Sequence, residues 1–262
     1  LHTLFPYTTL FRSIKALRLR EDVLGQQHSD TLTSISKVAQ VLNSQGKHNE
    51  AETMHRLAFQ LREEVLGQHH PDTLTSMHNL ALVLTRQGKY NKAEALFRQT
   101  VLLREEILGQ HHLDTLLSSS NLARVLDRQR KHKEAETIHQ QTLQLRSKVL
   151  GQQHPHTLIS MSNLALSLEH QDKYDEAKAI YQQVLQLREK VLSQWHPDIL
   201  TTMSNLARVL NKQGEHIEAK TKYQQILQLR ESLLGQQHPL TLIIRDNLAL
   251  VLSNEGKLET PH

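Results

Sequence analysis

The chain has 262 residues, with 31 Lys+Arg against 27 Asp+Glu, 38% hydrophobic and 4% aromatic content, and no cysteine. The missing thiols exclude a disulfide scaffold, a thiolate metal site and a cysteine nucleophile, and no apolar run approaches the roughly 18 residues that span a bilayer. The net charge of +4 arises from interleaved charges and argues only weakly for nucleic acid, while the few large apolar side chains favour thin stacked layers over one large core.

Residues 1–13, LHTLFPYTTLFRS, match nothing later in the chain. Thr3 to Ser13 resembles the in-frame translation of a sequencing adapter, so 1–13 is expected to be a non-native leader and is excluded from the fold reading. From Ile14 the chain repeats itself. IKALRLREDVLG (14–25) aligns with RLAFQLREEVLG (56–67), which makes it the tail of a helix. The loop LGQHHPDTL at 66–74 recurs at a spacing of 42, from Leu24, Leu108, Leu150, Leu192 and Leu234. Six anchors without insertion or deletion define a repeat architecture.

Each unit reads as two helices. After the loop, Asp72 or Thr73 is placed to cap the first, with Pro71 in its first turn. Leu74, Met77, Leu80, Ala81 and Leu84 then form an apolar i, i+3, i+4 stripe. Gln87-Gly88-Lys89 ends that helix, and a second runs from Tyr90 to about Leu108 with Ala93, Leu96, Phe97, Val101 and Leu103 inward. Alanine recurs at Ala39, Ala81, Ala123, Ala165, Ala207 and Ala249, and at Ala51, Ala93, Ala135, Ala177 and Ala219, where helices must approach closely. The chain closes on a lone first helix to Leu258 and a tail, 259–262, whose Pro261 obstructs a further helix. The expected organisation is a half repeat, five full repeats and a half repeat over 14–258, as a fragment of a longer protein.

The order N-L-A…G-x-Y…A-x-x-x-[FY] in NLALVLTRQGKYNKAEALF (79–97) resembles the tetratricopeptide repeat. The 42-residue period and the R-E-x-[VIL]-L-G-x-x-H-P linker resemble its kinesin light chain-like subclass, found also in the C-terminal arrays of fungal and bacterial signalling NTPases. The resemblance implies an all-α, right-handed superhelical solenoid of antiparallel helix pairs whose first helices line a concave groove.

No phosphate-binding glycine loop, H-E-x-x-H, G-x-S-x-G or EF-hand pattern is present, so neither catalysis nor a cofactor is expected. Of the 18 histidines, His28, His70, His112, His154, His196 and His238 share one linker position. Layers roughly 10 Å apart put them out of reach of one metal ion, so each is expected to bond the start of a helix. The pairs His69-His70 and His111-His112 are weak metal candidates, and no metal site is assigned. His48/His55 and His132/His139 stand where Tyr90/Phe97 stand and are expected to be packing substitutions. Arg62, Arg104, Arg146, Arg188 and Arg230, most of them followed by Glu, suggest local ion pairs.

Binding is expected on the first helices. Asn79, Asn121, Asn163, Asn205 and Asn247 form a ladder, with Lys37 in the first unit. In the family that these repeats resemble, matching asparagines hold the backbone of an extended peptide, an amide being both donor and acceptor. Bonding between neighbouring helices is the alternative. Arg86, Arg128, His170 and Lys212 share a second position, and Arg124 and Arg208 lie three residues after Asn121 and Asn205. Together they suggest a positive rim for an acidic peptide or a terminal carboxylate, or else a solvated charged face. Leu82, Leu166, Leu250 and the set Val41, Val83, Val125 and Val209 are assigned to the groove floor. The function expected is a non-enzymatic, cytoplasmic protein- or peptide-binding scaffold. The alternatives are a ligand-sensing and oligomerisation array of an NB-ARC- or NACHT-type NTPase and, more remotely, an electrostatic nucleic-acid binder. Neither membrane binding nor a membrane span is expected; self-association through uncapped ends is.

Overall fold

The computed structural model describes residues 5–258, with side chains from 9 to 255. Among them the fold is all-α: α1 (Phe5–Leu24), α2 (Ser29–Ser44), α3 (His48–Leu66), α4 (Pro71–Arg86), α5 (Tyr90–Leu108), α6 (Leu113–Arg128), α7 (His132–Leu150), α8 (Pro155–Glu169), α9 (Tyr174–Glu189), α10 (Pro197–Lys212), α11 (His216–Leu234) and α12 (Pro239–Leu258). Two compact units divide within α7, the first ending at Ile138 and the second starting at His139. In each, consecutive helices pack on one another as antiparallel pairs.

The alanine positions explain the packing. In the first unit Ala39, Ala51, Ala81, Ala93, Ala123 and Ala135 are fully buried; in the second Ala165, Ala177, Ala207 and Ala219 are. Small side chains let the helices close up, and Phe97 in the first unit and Tyr181 and Tyr223 in the second fill what space is left. Leu32, Ile35, Leu42 and Ala58 make a further cluster around α2 and α3, joined by Val83 from α4.

Two local expectations are corrected. The cap of each first helix is the linker histidine and not the Asp or Thr after it: Nδ1 of His70 accepts from the Asp72 backbone N–H at 3.2 Å, and His28, His112, His154, His196 and His238 do the same at 3.1–3.2 Å. The histidine is already extended at φ −70°, ψ 137°, whereas Asp72 lies inside the helix. Thr73 turns its hydroxyl to the Arg62 carbonyl instead.

The arginine series is likewise not paired with its neighbouring glutamates. Arg62, Arg104, Arg146 and Arg188 are buried, and their guanidiniums reach hydroxyls on the adjoining first helices. Arg62 donates to Ser76 Oγ at 2.6 Å and Ser36 Oγ at 3.2 Å, Arg104 to Ser118 Oγ at 2.8 Å, Arg146 to Ser160 Oγ at 2.6 Å and Arg188 to Thr202. Each arginine is thus a stitch between second and first helices, and burial holds its ionisation below the usual range.

The helix α1 runs without a break across Ser13–Ile14, although the 42-residue register stops there. Leu10 and Ile14 pack beside Leu17, so the apolar stripe continues into the expected leader. At the other end α12 passes through Gly256 to Leu258 and does not stop at the turn position, a tolerated glycine costing only ~1 kcal/mol in a helix. The tail 259–262 and Pro261 lie outside the described residues.

Candidate peptide-binding face

The turn after each first helix sets where its last residues point. Gly88 takes φ 75° there, and the third and fourth repeats put Arg130 (φ 63°) and Asp172 (φ 59°) at the same turn position. The helix before it is held from both sides, by the histidine cap and by this turn, so residues seven apart along it stay on one face.

In the first unit that face carries Asn79, Leu82 and Arg86 on α4 and Asn121, Arg124 and Arg128 on α6. Asn79 is half-buried, and its amide makes no side-chain hydrogen bond among the described residues. Asn121 is buried: its Nδ2 donates to the Leu117 carbonyl at 3.0 Å and its Oδ1 accepts from Arg124 Nη1 at 3.2 Å. At this rung the amide is used internally, and it positions an arginine. Arg86, Arg124 and Arg128 have no carboxylate partner among the described residues. Partial burial, then the charges of Arg128 and Arg86, hold Arg124 below the usual guanidinium range. Three cations that repel one another are therefore gathered on this face, with no carboxylate paired to them among the described residues.

The second unit has the same register with a different outcome. Asn163 is engaged within the protein, while Asn205 and Asn247 are half-buried with no side-chain bond among the described residues. Arg208 grips Glu169 through both arms, Nε to Oε1 at 2.7 Å and Nη2 to Oε2 at 2.8 Å. That pairing raises its ionisation despite burial. Lys212 is exposed at the end of α10 with no ion pair among the described residues.

The apolar floor needs a correction. Val83, Val125 and Val209 are fully buried and belong to the cores; Val83 sits among Leu32, Leu42 and Ala58 of the preceding repeat. One residue past Leu82 is a turn of about 100° around the helix axis, which moves the side chain from the open face to the neighbour. Val41, Leu82 and Leu166 are half-buried, and Leu250 is 56% exposed. Leu82, Arg124, Leu166, Arg208 and Leu250 occupy one and the same repeat position, so leucine and arginine alternate along it with a period of two repeats.

The histidines divide as follows. His55 is buried on the core side, as expected of a packing substitution, and burial followed by the Arg62 charge lowers it to about 4. His139 is buried too. His48 and His132 do more than pack: their Nδ1 atoms lie 2.8 Å from Asn43 Oδ1 and 3.1 Å from Asp127 Oδ1, a turn-closing contact that His216 repeats with Asn211 at 2.8 Å. His78, which no sequence pattern singles out, is edge-on to Phe97 and 3.0 Å from Ser118 Oγ. Burial and the Arg104 charge lower it to about 3.

Repeated antiparallel helix pairs with small residues at the contacts define a helical-repeat protein. The tetratricopeptide repeat family matches residues 30–106, 75–145, 114–190 and 198–260, and the chain belongs to that family. Among solved structures, a Podosopora anserina kinesin light chain protein of nearly identical TPR-like repeats is 26% identical with a TM-score of 0.69, covering 79% of this chain and 98% of that one. BtubC (BKLC) from P. vanneervenii is 19% identical with a TM-score of 0.73 over 89% of this chain and 94% of its own, a likeness of fold alone. No curated protein matches the chain. The relatives are of the kinesin light chain-like kind that the linker and the period suggested. No helix among the described residues is long and apolar enough to cross a membrane.

Proposed function

We propose that this array is a non-catalytic scaffold that binds an extended, acidic protein segment on the open face of its first helices. The observation that carries this reading is the group Arg86, Arg124 and Arg128, three guanidiniums without a carboxylate partner among the described residues, beside the unengaged amide of Asn79 and the accessible Leu82. Guanidiniums pair with carboxylates in a fixed fork, a free amide offers both donor and acceptor to a peptide group, and a leucine between them takes an apolar side chain. In the second unit Asn205, Asn247, Lys212 and Leu250 extend the same chemistry, with Arg208 withdrawn into its pair with Glu169.

The test is capture from a peptide library by the full chain, with affinities then measured by fluorescence anisotropy. Acidic extended peptides are expected, with binding that weakens as salt rises and falls about tenfold or more in Arg124→Glu. Enrichment of neutral or basic peptides, or affinity indifferent to Arg86→Glu and Arg124→Glu, would overturn the reading.

A further inference from the structure

One linker of the array departs from the others. Ser193 stands where Gly25, Gly67, Gly109, Gly151 and Gly235 stand, Trp195 replaces a glutamine or histidine, and Ile199 replaces Thr31, Thr73, Thr115, Thr157 and Thr241. The glycines end their helices at φ 84–88°, a left-handed backbone that a serine side chain resists. Ser193 does not adopt it, and α9 stops at Glu189 after 16 residues where α3, α5, α7 and α11 run for 19. The backbone N–H groups of Val191 and Leu192 then both donate to the Arg188 carbonyl, at 3.1 and 2.8 Å.

Beside this linker α9, α10 and α11 enclose a cavity of about 330 Å³. Ile199, Met203 and Leu229 supply its apolar lining, exposed glutamine amides its rim, and Glu189 its one charge among the described residues. Met203 is half-buried, whereas Met77 and Met161 are buried. Those two share their clusters with Leu96 and Ile180. Lys222 holds that register position here, and its ammonium is paired with Glu218 at 3.6 Å. Glu189 makes no ion pair among the described residues. The linker adds two exposed apolar side chains, Val191 at 57% and Trp195 at 40%. Met203 and Asn205 lie about 200° apart around α10 at 3.6 residues per turn, so the cavity does not share the asparagine face.

We propose that this cavity takes an apolar anchor side chain from a partner protein, with a lysine or arginine beside it to meet Glu189. The volume lies at the low end of the roughly 300–1,000 Å³ of small-ligand pockets and holds one large side chain. Val191 and Trp195 are not part of its lining, and only a partner with a surface of its own would cover them. A tryptophan next to a filled pocket is the composition of a binding hot spot. The unpaired carboxylate selects a basic flank, the reverse of the acidic segment proposed for the first-helix face. The site therefore stands independently of that reading.

Trp195 is the only tryptophan of the chain, so its emission reports on this linker directly. The full chain is titrated with short capped peptides that carry a central phenylalanine flanked by lysines, by serines or by glutamates. The expected result is a saturating emission change, with lysine flanks roughly fivefold tighter than glutamate flanks and no change when alanine replaces the phenylalanine. Glu189→Lys, on an exposed position, inverts the preference. Ser193→Gly restores the helix end and weakens binding, while Arg124→Glu leaves it unchanged and so separates this site from the first-helix face. Circular dichroism confirms that each variant is folded. An emission that no peptide alters overturns the proposal, as does a flank preference that survives Glu189→Lys. Phenethylamine binding as tightly as the lysine-flanked peptide overturns it too, because that marks a small-molecule pocket.

Discussion

Arg124 and Arg208 occupy the same position of equivalent first helices, three residues after Asn121 and Asn205, and they end in opposite states. Arg208 is clamped by Glu169, thirty-nine residues upstream. The residue thirty-nine before Arg124 is Thr85, whose hydroxyl donates to the Ala81 carbonyl at 2.8 Å and offers no charge. One residue on the preceding helix therefore decides whether the arginine is held by a carboxylate within the protein. The layer beneath differs too: Tyr181 and Tyr223 lie beside Arg208, and burial drives Tyr181 well above the usual phenol range, whereas Phe97 holds the Tyr181 position in the first unit, which also buries His55 and His78.

The largest expected effect comes from those histidines. Above about pH 6.5 both are neutral folded or unfolded; as pH falls below that, the unfolded chain takes up protons that the folded one refuses down to about 4 at His55 and about 3 at His78. Stability is therefore full above pH 6.5 and falls by about 1.4 kcal/mol per pH unit for each histidine on the way down. Urea titrations at pH 7 and pH 5 check this, and His55→Phe, which gives this repeat the side chain that Phe97 supplies in the next, should flatten the slope.

The arginines come next. Arg208→Ala strands the nearly buried Glu169 carboxylate and should cost about 2 kcal/mol, discounted for the exposed half of the pair. Arg124→Ala, with no carboxylate to strand and only its 3.2 Å bond to Asn121 to lose, should cost less, about 1 kcal/mol or under in the same melts. For binding the order reverses: Thr85→Glu gives Arg124 an internal anion, and affinity for an acidic peptide should drop about tenfold, about 1.4 kcal/mol. The smallest effect is at the turns. Arg130 adopts the positive φ that Gly88 adopts, so Arg130→Gly should stabilise by about 1 kcal/mol. Asp172→Gly should gain less, because it loses the 2.5 Å bond from the Tyr174 hydroxyl.

The helix pairs were legible because their signals are local. The 42-residue period, the alanines and the Gln-Gly-Lys turns locate the helices to within a residue or two. The asparagine ladder and its neighbouring cations were found for the same reason. What the chain alone concealed depends on direction and on distance. Val83 and Leu82 are adjacent in sequence, and only the packing of α3 on α4 makes one core and the other surface. Glu63 beside Arg62 looked like an ion pair, but the guanidinium turns inward to hydroxyls of two other helices. The tie between Arg208 and Glu169 spans a repeat and leaves no local mark; the linker histidines bond the helix starts as expected, but aspartate and threonine, the commoner caps, drew the cap position away from them.

The arginine stitches bear on how the array folds. In a linear array each repeat meets only its neighbours, and its stability is a sum of repeat terms and junction terms. Arg62 bonds hydroxyls of the first helix of its own repeat and of the next, and becomes fully satisfied only when both are in place. A lone folded repeat would hold a buried guanidinium with half its partners missing, which is costly. Within each unit partial melting is thereby penalised, and unfolding should proceed as a cooperative front and not as a fraying of independent repeats.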